Sequence, residues 1–189
     1  MTDTTAKSSA RVATRRAYSG KMIHVDVDRV RFPNGSEGEL EMVRHPGASA
    51  VLPFLSDPAG EDPQVLLIKQ YRYAADGFIY EVPAGKLDGD EDPEVCARRE
   101  LREETGCDAE RVERLTTIYT TPGFTDERIH LFMATGVTRG GEAEREADEF
   151  LEVETFHLSA ALEMIERGEI QDGKTIIALL FAAGFRAGM

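Results

Sequence analysis

The chain has 189 residues, of which 41% are hydrophobic and 30% are charged, a composition typical of globular proteins and unlike that of collagens or membrane proteins. Its net charge of -13 would repel the phosphate backbone of nucleic acids and anionic membranes, so we expect neither as a partner. The length fits one domain of about 100 to 200 residues with a small accessory region.

The first sixteen residues are polar, and we predict a flexible tail there, without the apolar segment of a secretory signal. No later stretch reaches the roughly 18 apolar residues of a membrane span. The two cysteines, Cys96 and Cys107, cannot form a disulfide framework or a zinc site. We therefore expect reduced thiols and a cytoplasmic location.

The first predicted element is a β-hairpin. Residues 22–32 alternate between apolar and polar side chains, "PNGSEG" supplies a turn, and "ELEMVRH" alternates again. We assign residues 17–46 to this N-terminal antiparallel β region. The apolar runs "SAVLPFL", "QVLLIKQYRY" and "GFIYEVPAG" predict three further strands.

A helix is predicted next, over Pro93–Thr105. Asp92 is a good N-cap, Pro93 suits the first helical position, and Gly106 is a typical C-terminal stop. After it, "RLTTIYTT" and "RIHLFMATGV" predict strands around the turn "PGFTDE", and an acidic loop leads to the strand "FLEVETFHL". Two helices close the chain, with Ser159 as the predicted cap of the first and Asp172 at the start of the second.

Strands and helices that do not alternate regularly predict an α/β (α+β) fold in which helices flank a mixed β-sheet. We assign residues 47–189 to this main domain.

The predicted helix carries three glutamates, Glu100, Glu103 and Glu104, at spacings that make them neighbours on its surface. Like charges there are unfavourable, and carboxylates in the last turn oppose the helix dipole by roughly 0.3 to 1 kcal/mol. Arg99 can pair with Glu103, but one guanidinium cannot neutralise three carboxylates. Either the helix has an ordinary solvated acidic face, or the glutamates bind a hard divalent cation such as Mg²⁺.

A longer pattern favours the cation. Five residues separate Gly85 from Glu91, and seven separate Glu91 from Arg99; the fixed positions are Gly85, Glu91, Arg99, Glu100, Glu103, Glu104 and Gly106. This pattern resembles the Nudix box, the signature of hydrolases that cleave a nucleoside diphosphate linked to another group. Leu101 fills its bulky aliphatic position, and Cys107 departs from it, since the family usually has a larger aliphatic residue there.

Other stretches resemble the ADP-ribose pyrophosphatase branch of that family: "VRHPGASAV", "QYRYAADGFIYEVPAGKL", "TTPGFTDERIHLF" and "KTIIALL". Pro122, fifteen residues after Cys107, is also typical of the branch. The resemblance implies a Nudix αβα sandwich and Mg²⁺-dependent hydrolysis of ADP-ribose to AMP and ribose 5-phosphate, with Mn²⁺ as an alternative metal. It also implies a homodimer in which the N-terminal β region is exchanged between subunits.

Two other functions remain open. Relatives in the same branch act on GDP-mannose or other nucleotide sugars, and a substrate panel would distinguish them. A non-catalytic nucleotide-binding module is the more distant alternative, although binding alone would not require three crowded carboxylates.

Carried over by position, the resemblance assigns the metal mainly to Glu100 and Glu104. Glu103 would assist as a metal ligand and in catalysis, and the carbonyl of Ala84 would complete the metal site. Glu91 and Arg99 would orient and neutralise these glutamates.

For the substrate, the resemblance implies three contacts. Arg72 would bind a phosphate or ribose, although it could be a surface arginine without a role. Glu81 would contact substrate near the metal, or else be a buried strand carboxylate held by Arg99. Glu127 is a further candidate. The general base would lie in the acidic loop "EREADEF", where we favour Glu146 over Glu149.

Overall fold

The computed structural model describes residues 10–141, 143 and 150–186, and these form two compact units. One unit contains the chain up to His45 together with Tyr119–Arg128, and the other contains Pro46–Ile118 and the chain from Ile129 onward. We predicted a single boundary, between residues 46 and 47. The structure adds the segment Tyr119–Arg128 to the first unit, because this segment packs there although it is distant in sequence. No helix of the described chain combines the length and the apolar character needed to cross a bilayer.

Within its described residues, the first unit contains a three-stranded antiparallel sheet in the order β1-β2-β3. Its strands are β1 (Arg11–Ser19), β2 (His24–Arg31) and β3 (Glu37–Arg44). The predicted hairpin is confirmed as β2 and β3. Strand β1 was not predicted, since residues up to 16 were assigned to a flexible tail. Every residue of β1 is exposed, so the strand has no apolar alternation for the sequence to reveal.

Pairing with β2 holds β1 in place. Besides the backbone ladder, Thr14 Oγ1 donates a hydrogen bond of 2.7 Å to Asp28, and Arg16 forms an ion pair with Asp26. Both aspartates are buried, and Arg44 binds both of them from β3. This face of the small sheet is therefore held by charge pairs more than by apolar packing.

The described residues of the second unit form seven strands in two sheets, with the orders β10-β5-β6 and β7-β4-β9-β8. Strand β4 runs parallel to β9 and antiparallel to β7, which makes its sheet mixed, as predicted. The strands are β4 (Ala48–Pro53), β5 (Gln64–Arg72), β6 (Gly77–Glu81), β7 (Ala84–Lys86), β8 (Cys107–Tyr119), β9 (Arg128–Arg139) and β10 (Leu151–His157).

The helices are α1 (Pro93–Thr105), α2 (Leu158–Glu166) and α3 (Gly173–Arg186). The predicted bounds of α1 are confirmed: Asp92 accepts hydrogen bonds from the amides of Glu94 and Val95, and Gly106 ends the helix with φ of 69°. Asp172 also has its predicted role at the start of α3, since it accepts a 3.0 Å hydrogen bond from the amide of Thr175.

The prediction that Ser159 caps α2 is wrong. The residue in the cap position is His157, whose side chain makes no capping hydrogen bond. Asp62, far away in the sequence, accepts hydrogen bonds from both the amide and the hydroxyl of Ser159, at 3.1 and 2.7 Å. A side chain from another loop therefore satisfies this helix end.

Two apolar cores lie on opposite faces of the strands. Leu52 and Leu67 pack with residues of α2 and α3, whereas Val51 and Ile68, their neighbours on the same strands, pack with α1. Strands buried on both faces read as continuous apolar runs, which is why "SAVLPFL" and "QVLLIKQ" lack alternation. The predicted αβα sandwich is confirmed.

Candidate active site

Strand β7, which follows β6 after a turn at Val82 and Pro83, places its backbone beside α1 at an unusually close approach. A Cβ atom at Gly85 would overlap the carboxylate of Glu100. Glycine is required here because it has no side chain. The space that a side chain would take is filled by the carboxylate of Glu100. The glycine of the sequence pattern thus has a steric reason, because a side chain at position 85 and the carboxylate of Glu100 would fill the same space.

Glu104 lies one turn further along α1 and is 2% exposed, while Glu100 is 8% exposed. One oxygen of Glu104 accepts a 3.0 Å hydrogen bond from the amide of Ala84, next to Gly85. Helix α1 and strand β7 therefore bring together Ala84, Glu100 and Glu104, three of the four predicted metal-binding residues. The fourth, Glu103, lies between the two glutamates in sequence and is more exposed.

Arg99 joins the remaining charges of this patch. Its guanidinium donates to both oxygens of Glu91 at 3.0 Å, to Glu100 at 2.6 Å and to Glu103 at 2.9 Å. The hydrogen bond from Arg99 also lowers the pKa of Glu91 below its ordinary value. The predicted pairing of Arg99 with Glu103 is confirmed, and three carboxylates share this one cation.

The donor set of the patch fits a hard divalent cation. It offers carboxylate oxygens, which Mg²⁺ prefers, two of its carboxylates are buried, and its negative charges outnumber the guanidinium. Among the residues that the structure describes, no group of three acidic, histidine or cysteine side chains is arranged to hold a metal ion. Arg99 engages Glu100 and Glu103, and the Ala84 amide engages Glu104.

Replacing Arg99 by lysine should separate geometry from charge. Lysine keeps the positive charge but lacks the planar set of donors that reaches three carboxylates at once. We expect the free energy of unfolding to fall by about 1–3 kcal/mol, measured by urea denaturation. Arg102→Lys, at an exposed pair with Asp108, should change it by less than about 0.5 kcal/mol. An equal effect of the two substitutions would contradict the central role of Arg99.

A second charge cluster surrounds Glu81, which is 1% exposed. Arg72 binds both of its oxygens, Nε to Oε1 at 2.6 Å and Nη2 to Oε2 at 2.8 Å, and Lys174 forms an ion pair with Oε2. Glu81 is thus a buried strand carboxylate, but the prediction that Arg99 holds it is wrong. Arg99 faces Glu91 and the helix glutamates, while Arg72 reaches Glu81 from the neighbouring strand.

The cluster around Glu81 and the cluster around Arg99 also interact electrostatically. The hydrogen bond to Glu81 raises the pKa of Arg72, and the negative charge of Glu104 raises it further. Burial would raise the pKa of Glu81, but the bonds and charges of Arg72 and Lys174 outweigh it, so that the pKa lies below its ordinary value. Arg72 therefore lies within electrostatic reach of the proposed metal ligand Glu104, and Glu81 remains ionised at neutral pH.

Lys174 is a member of the site that the sequence reasoning missed. It also pairs with Asp172 at 3.0 Å, and Asp172 accepts a hydrogen bond from the hydroxyl of the fully buried Thr175. The same hydroxyl accepts a hydrogen bond of 2.8 Å from the amide of Val82, next to Glu81. The first turn of α3 thus fixes the end of β6. The stretch "KTIIALL" was noticed only as part of a resemblance, and nothing in it indicates a partner 93 residues away.

Replacing Lys174 by methionine should destabilise the protein in a pH-dependent way. The lowered pKa means that ionised Glu81 stabilises the fold above its ordinary pKa of 4.5, and that this contribution is lost as the pH falls through the folded value. We expect a loss of about 1–3 kcal/mol at pH 7, because Glu81 keeps only one cation, and a smaller loss at an acidic pH at which Glu81 is protonated in the folded variant. Urea denaturation at several pH values measures both.

The control for this experiment is Lys21→Met, at an exposed lysine, which should change the unfolding free energy by less than about 0.5 kcal/mol at any pH. Lys174→Arg should restore part of the stability. A loss at pH 7 no larger than that of Lys21→Met would show that Lys174 does not stabilise the fold through the charge of Glu81.

Three further residues were predicted for the site. Glu127 belongs to the first unit, where it accepts a 2.8 Å hydrogen bond from Thr120 and lies 3.4 Å from a ring nitrogen of His45. Glu146 and Glu149, the candidates for the general base, lie outside the described residues. Their roles stay predictions.

Comparison with known proteins adds to this geometry. A family model described as NUDIX domain matches residues 44–179. An ADP-ribose pyrophosphatase of Bacillus subtilis (strain 168) and a methanol dehydrogenase activator of Bacillus methanolicus are each 40% identical over 171 residues, 90% of this chain and 90% of the relative. A GDP-mannose pyrophosphatase of Salmonella paratyphi A is 44% identical over 126 residues, 61% of this chain and 64% of the relative.

The fold has a close counterpart among solved structures. The crystal structure of an ADP compounds hydrolase superposes with a TM-score of 0.79 and covers 95% of each chain at 18% sequence identity. At that identity the likeness concerns the arrangement of strands and helices alone.

Proposed function

The chain belongs to the Nudix family of hydrolases, and from that premise we propose that it hydrolyses ADP-ribose with water to AMP and ribose 5-phosphate. The observation that carries the proposal is the pair of buried carboxylates, Glu100 and Glu104, held against Ala84 and Gly85 of β7 with Arg72 in electrostatic reach. The 40% identity with an ADP-ribose pyrophosphatase, over 90% of both chains, supports this choice of substrate.

Nudix hydrolases act with divalent metal ions, and we propose Mg²⁺ for this chain, with Mn²⁺ as the alternative. Glu100, Glu103, Glu104 and the carbonyl of Ala84 would hold it. When bound, the metal neutralises the charge of the diphosphate and lowers the pKa of the attacking water.

The protein's own side chains bind and orient. Arg72 uses Nε and Nη2 for Glu81, and its Nη1 makes no hydrogen bond among the described residues, so we propose that this end of the guanidinium donates to a phosphate oxygen. Glu81 and Lys174 hold Arg72 in place, and Arg99 holds the glutamates. We retain Glu146, or failing that Glu149, as the base that takes the proton of the water, and Glu127 as a further substrate contact.

We also propose that the protein is a homodimer, formed through the β region of residues 17–46. The resemblance to the ADP-ribose pyrophosphatase branch motivates this proposal. Light scattering after size exclusion measures the mass directly, and a value near 20.9 kDa, the mass of one chain, would contradict it.

A substrate panel tests the activity. Purified protein is incubated with Mg²⁺ and, in parallel, ADP-ribose, GDP-mannose and ADP-glucose, and the products are separated by chromatography. We expect the highest kcat/KM with ADP-ribose, with AMP and ribose 5-phosphate formed in equal amounts. A preference for GDP-mannose would support the second candidate, which the 44% identity with a GDP-mannose pyrophosphatase favours. Tight binding without turnover of any compound would indicate a non-catalytic binding module.

A further inference from the structure

Gln70 carries a buried polar atom without a hydrogen-bond partner. The residue lies on β5 and is 6% exposed, and its side-chain oxygen Oε1 receives no hydrogen bond from the described residues. Roughly nine in ten buried polar groups in native proteins have a partner, because an unpaired one has lost its bonds to water without replacement. Rotation of the amide would place its NH₂ group there instead, and that group would need a partner too.

The position of Gln70 links it to the candidate site. Side chains alternate along a strand, so Leu66, Ile68, Gln70 and Arg72 share one face of β5. Leu66 and Ile68 belong to the apolar core beside α1, and Arg72 binds Glu81. Gln70 therefore stands where the apolar row ends and the charged cluster begins, with its Cα about 7 Å from that of Arg72.

The neighbouring strand gives the same placement. Ile68 lies opposite Glu81 and Gln70 lies opposite Ile79, two residues before Glu81 on β6. Glu81 is thus a diagonal neighbour of Gln70 on the same face, at a distance of about 7–8 Å. An apolar residue at position 70 would continue the row formed by Leu66 and Ile68 and would leave no polar atom unpaired.

We propose that Gln70 is a substrate-binding residue that accepts a hydrogen bond from a sugar hydroxyl next to the diphosphate. This inference rests on the proposed pyrophosphatase function, in which Arg72 binds a phosphate. Ionised phosphate oxygens have no proton to donate to Oε1, whereas the sugars on both sides of a nucleotide-sugar diphosphate carry hydroxyl donors. The unpaired oxygen Oε1 is then the acceptor of a hydrogen bond that the substrate completes.

The substitution Gln70→Met tests this, because methionine is unbranched, of similar length and apolar. Without ligand, we expect the midpoint of thermal unfolding to rise, since the unpaired atom is removed. With ADP-ribose and Mg²⁺, we expect KM to rise roughly 5- to 50-fold and kcat to change less than about 3-fold. Gln70→Leu should shift both quantities in the same directions. Gln64→Met, at an exposed glutamine of the same strand, should leave both unchanged.

A deoxy analogue identifies the group that Gln70 binds. An ADP-ribose analogue lacking the relevant hydroxyl should lose affinity with the wild-type protein, and Gln70→Met should cause little further loss with that analogue. Each ribose hydroxyl is removed in turn. Losses that add fully for every analogue would overturn the hydroxyl assignment.

The outcomes also separate this inference from the proposed function. If the wild-type protein hydrolyses ADP-ribose and Gln70→Met leaves KM unchanged, the inference is wrong and the function stands; a lowered unfolding midpoint would then point to a bound water as the partner of Oε1. If the wild-type protein neither hydrolyses the panel nor is stabilised against heat by any of its members, the proposed function fails. If it binds without turnover, the ligand-induced rise in midpoint of the two proteins tests Gln70 directly.

Discussion

Replacing Glu100 and Glu104 together by glutamine should lower the Mg²⁺-dependent kcat by roughly 10³-fold or more while the protein stays folded. Loss of one preorganised electrostatic group at an active site costs about 10²- to 10³-fold in kcat, and here two carboxylates lose their charge. The side-chain oxygen of glutamine can still accept the hydrogen bond that the amide of Ala84 donates to Glu104. The substitution also relieves like-charge crowding on α1, so we expect the unfolding free energy to stay within about 1 kcal/mol of wild type.

Glu94→Gln is the matched control, because Glu94 lies in the first turn of the same helix and pairs at the surface with Arg98. Its kcat should equal that of the wild type, with a stability loss of a few tenths of a kcal/mol at most. The measurements are initial rates over a Mg²⁺ titration and urea denaturation without metal. A folded double variant with full Mg²⁺-dependent turnover would contradict the metal assignment.

Replacing Gly85 by alanine should damage activity far more than stability. The new Cβ would overlap the carboxylate end of Glu100, which is the far end of a flexible side chain and can move aside. The stability loss should therefore be only about 0.5–1.5 kcal/mol, the usual free-energy penalty of an unfavourable rotamer. A catalytic group displaced by about 1 Å can lower the rate by 10²-fold, and we expect kcat/KM to fall by at least that factor.

Gly184→Ala is the control for added volume, since a Cβ there meets nothing within 4 Å. It lies on α3, where alanine forms helix better than glycine, so stability should rise by up to about 1 kcal/mol with unchanged activity. If Gly85→Ala keeps the wild-type kcat/KM, then the position of the Glu100 carboxylate against Gly85 does not matter for catalysis.

Some elements were predictable because their signals are local. Asp92, Pro93 and Gly106 act on the backbone within a few residues, so the bounds of α1 follow from the sequence. The pairing of Arg99 with Glu103 is equally local, since one helical turn separates them.

Other features depend on partners that are distant in sequence. Strand β1 is exposed throughout and forms through backbone pairing with β2. The cap of α2 comes from Asp62, and the second cation of Glu81 comes from Lys174. No pattern within a short window of sequence carries this information, because hydrogen bonds between distant segments form only when the whole chain has packed.

The sequence by itself determined that Glu100, Glu103 and Glu104 crowd together, since their spacing makes them neighbours on the surface of a helix. Only the tertiary structure decided which groups surround those charges. Packing of β5, β6 and α3 set Arg72 and Lys174 on Glu81, and packing of β7 on α1 placed Gly85 against Glu100. It also left Oε1 of Gln70 without a hydrogen bond from the described residues. These contacts join segments far apart in the chain, and burial makes each of them energetically important because water cannot replace a lost partner.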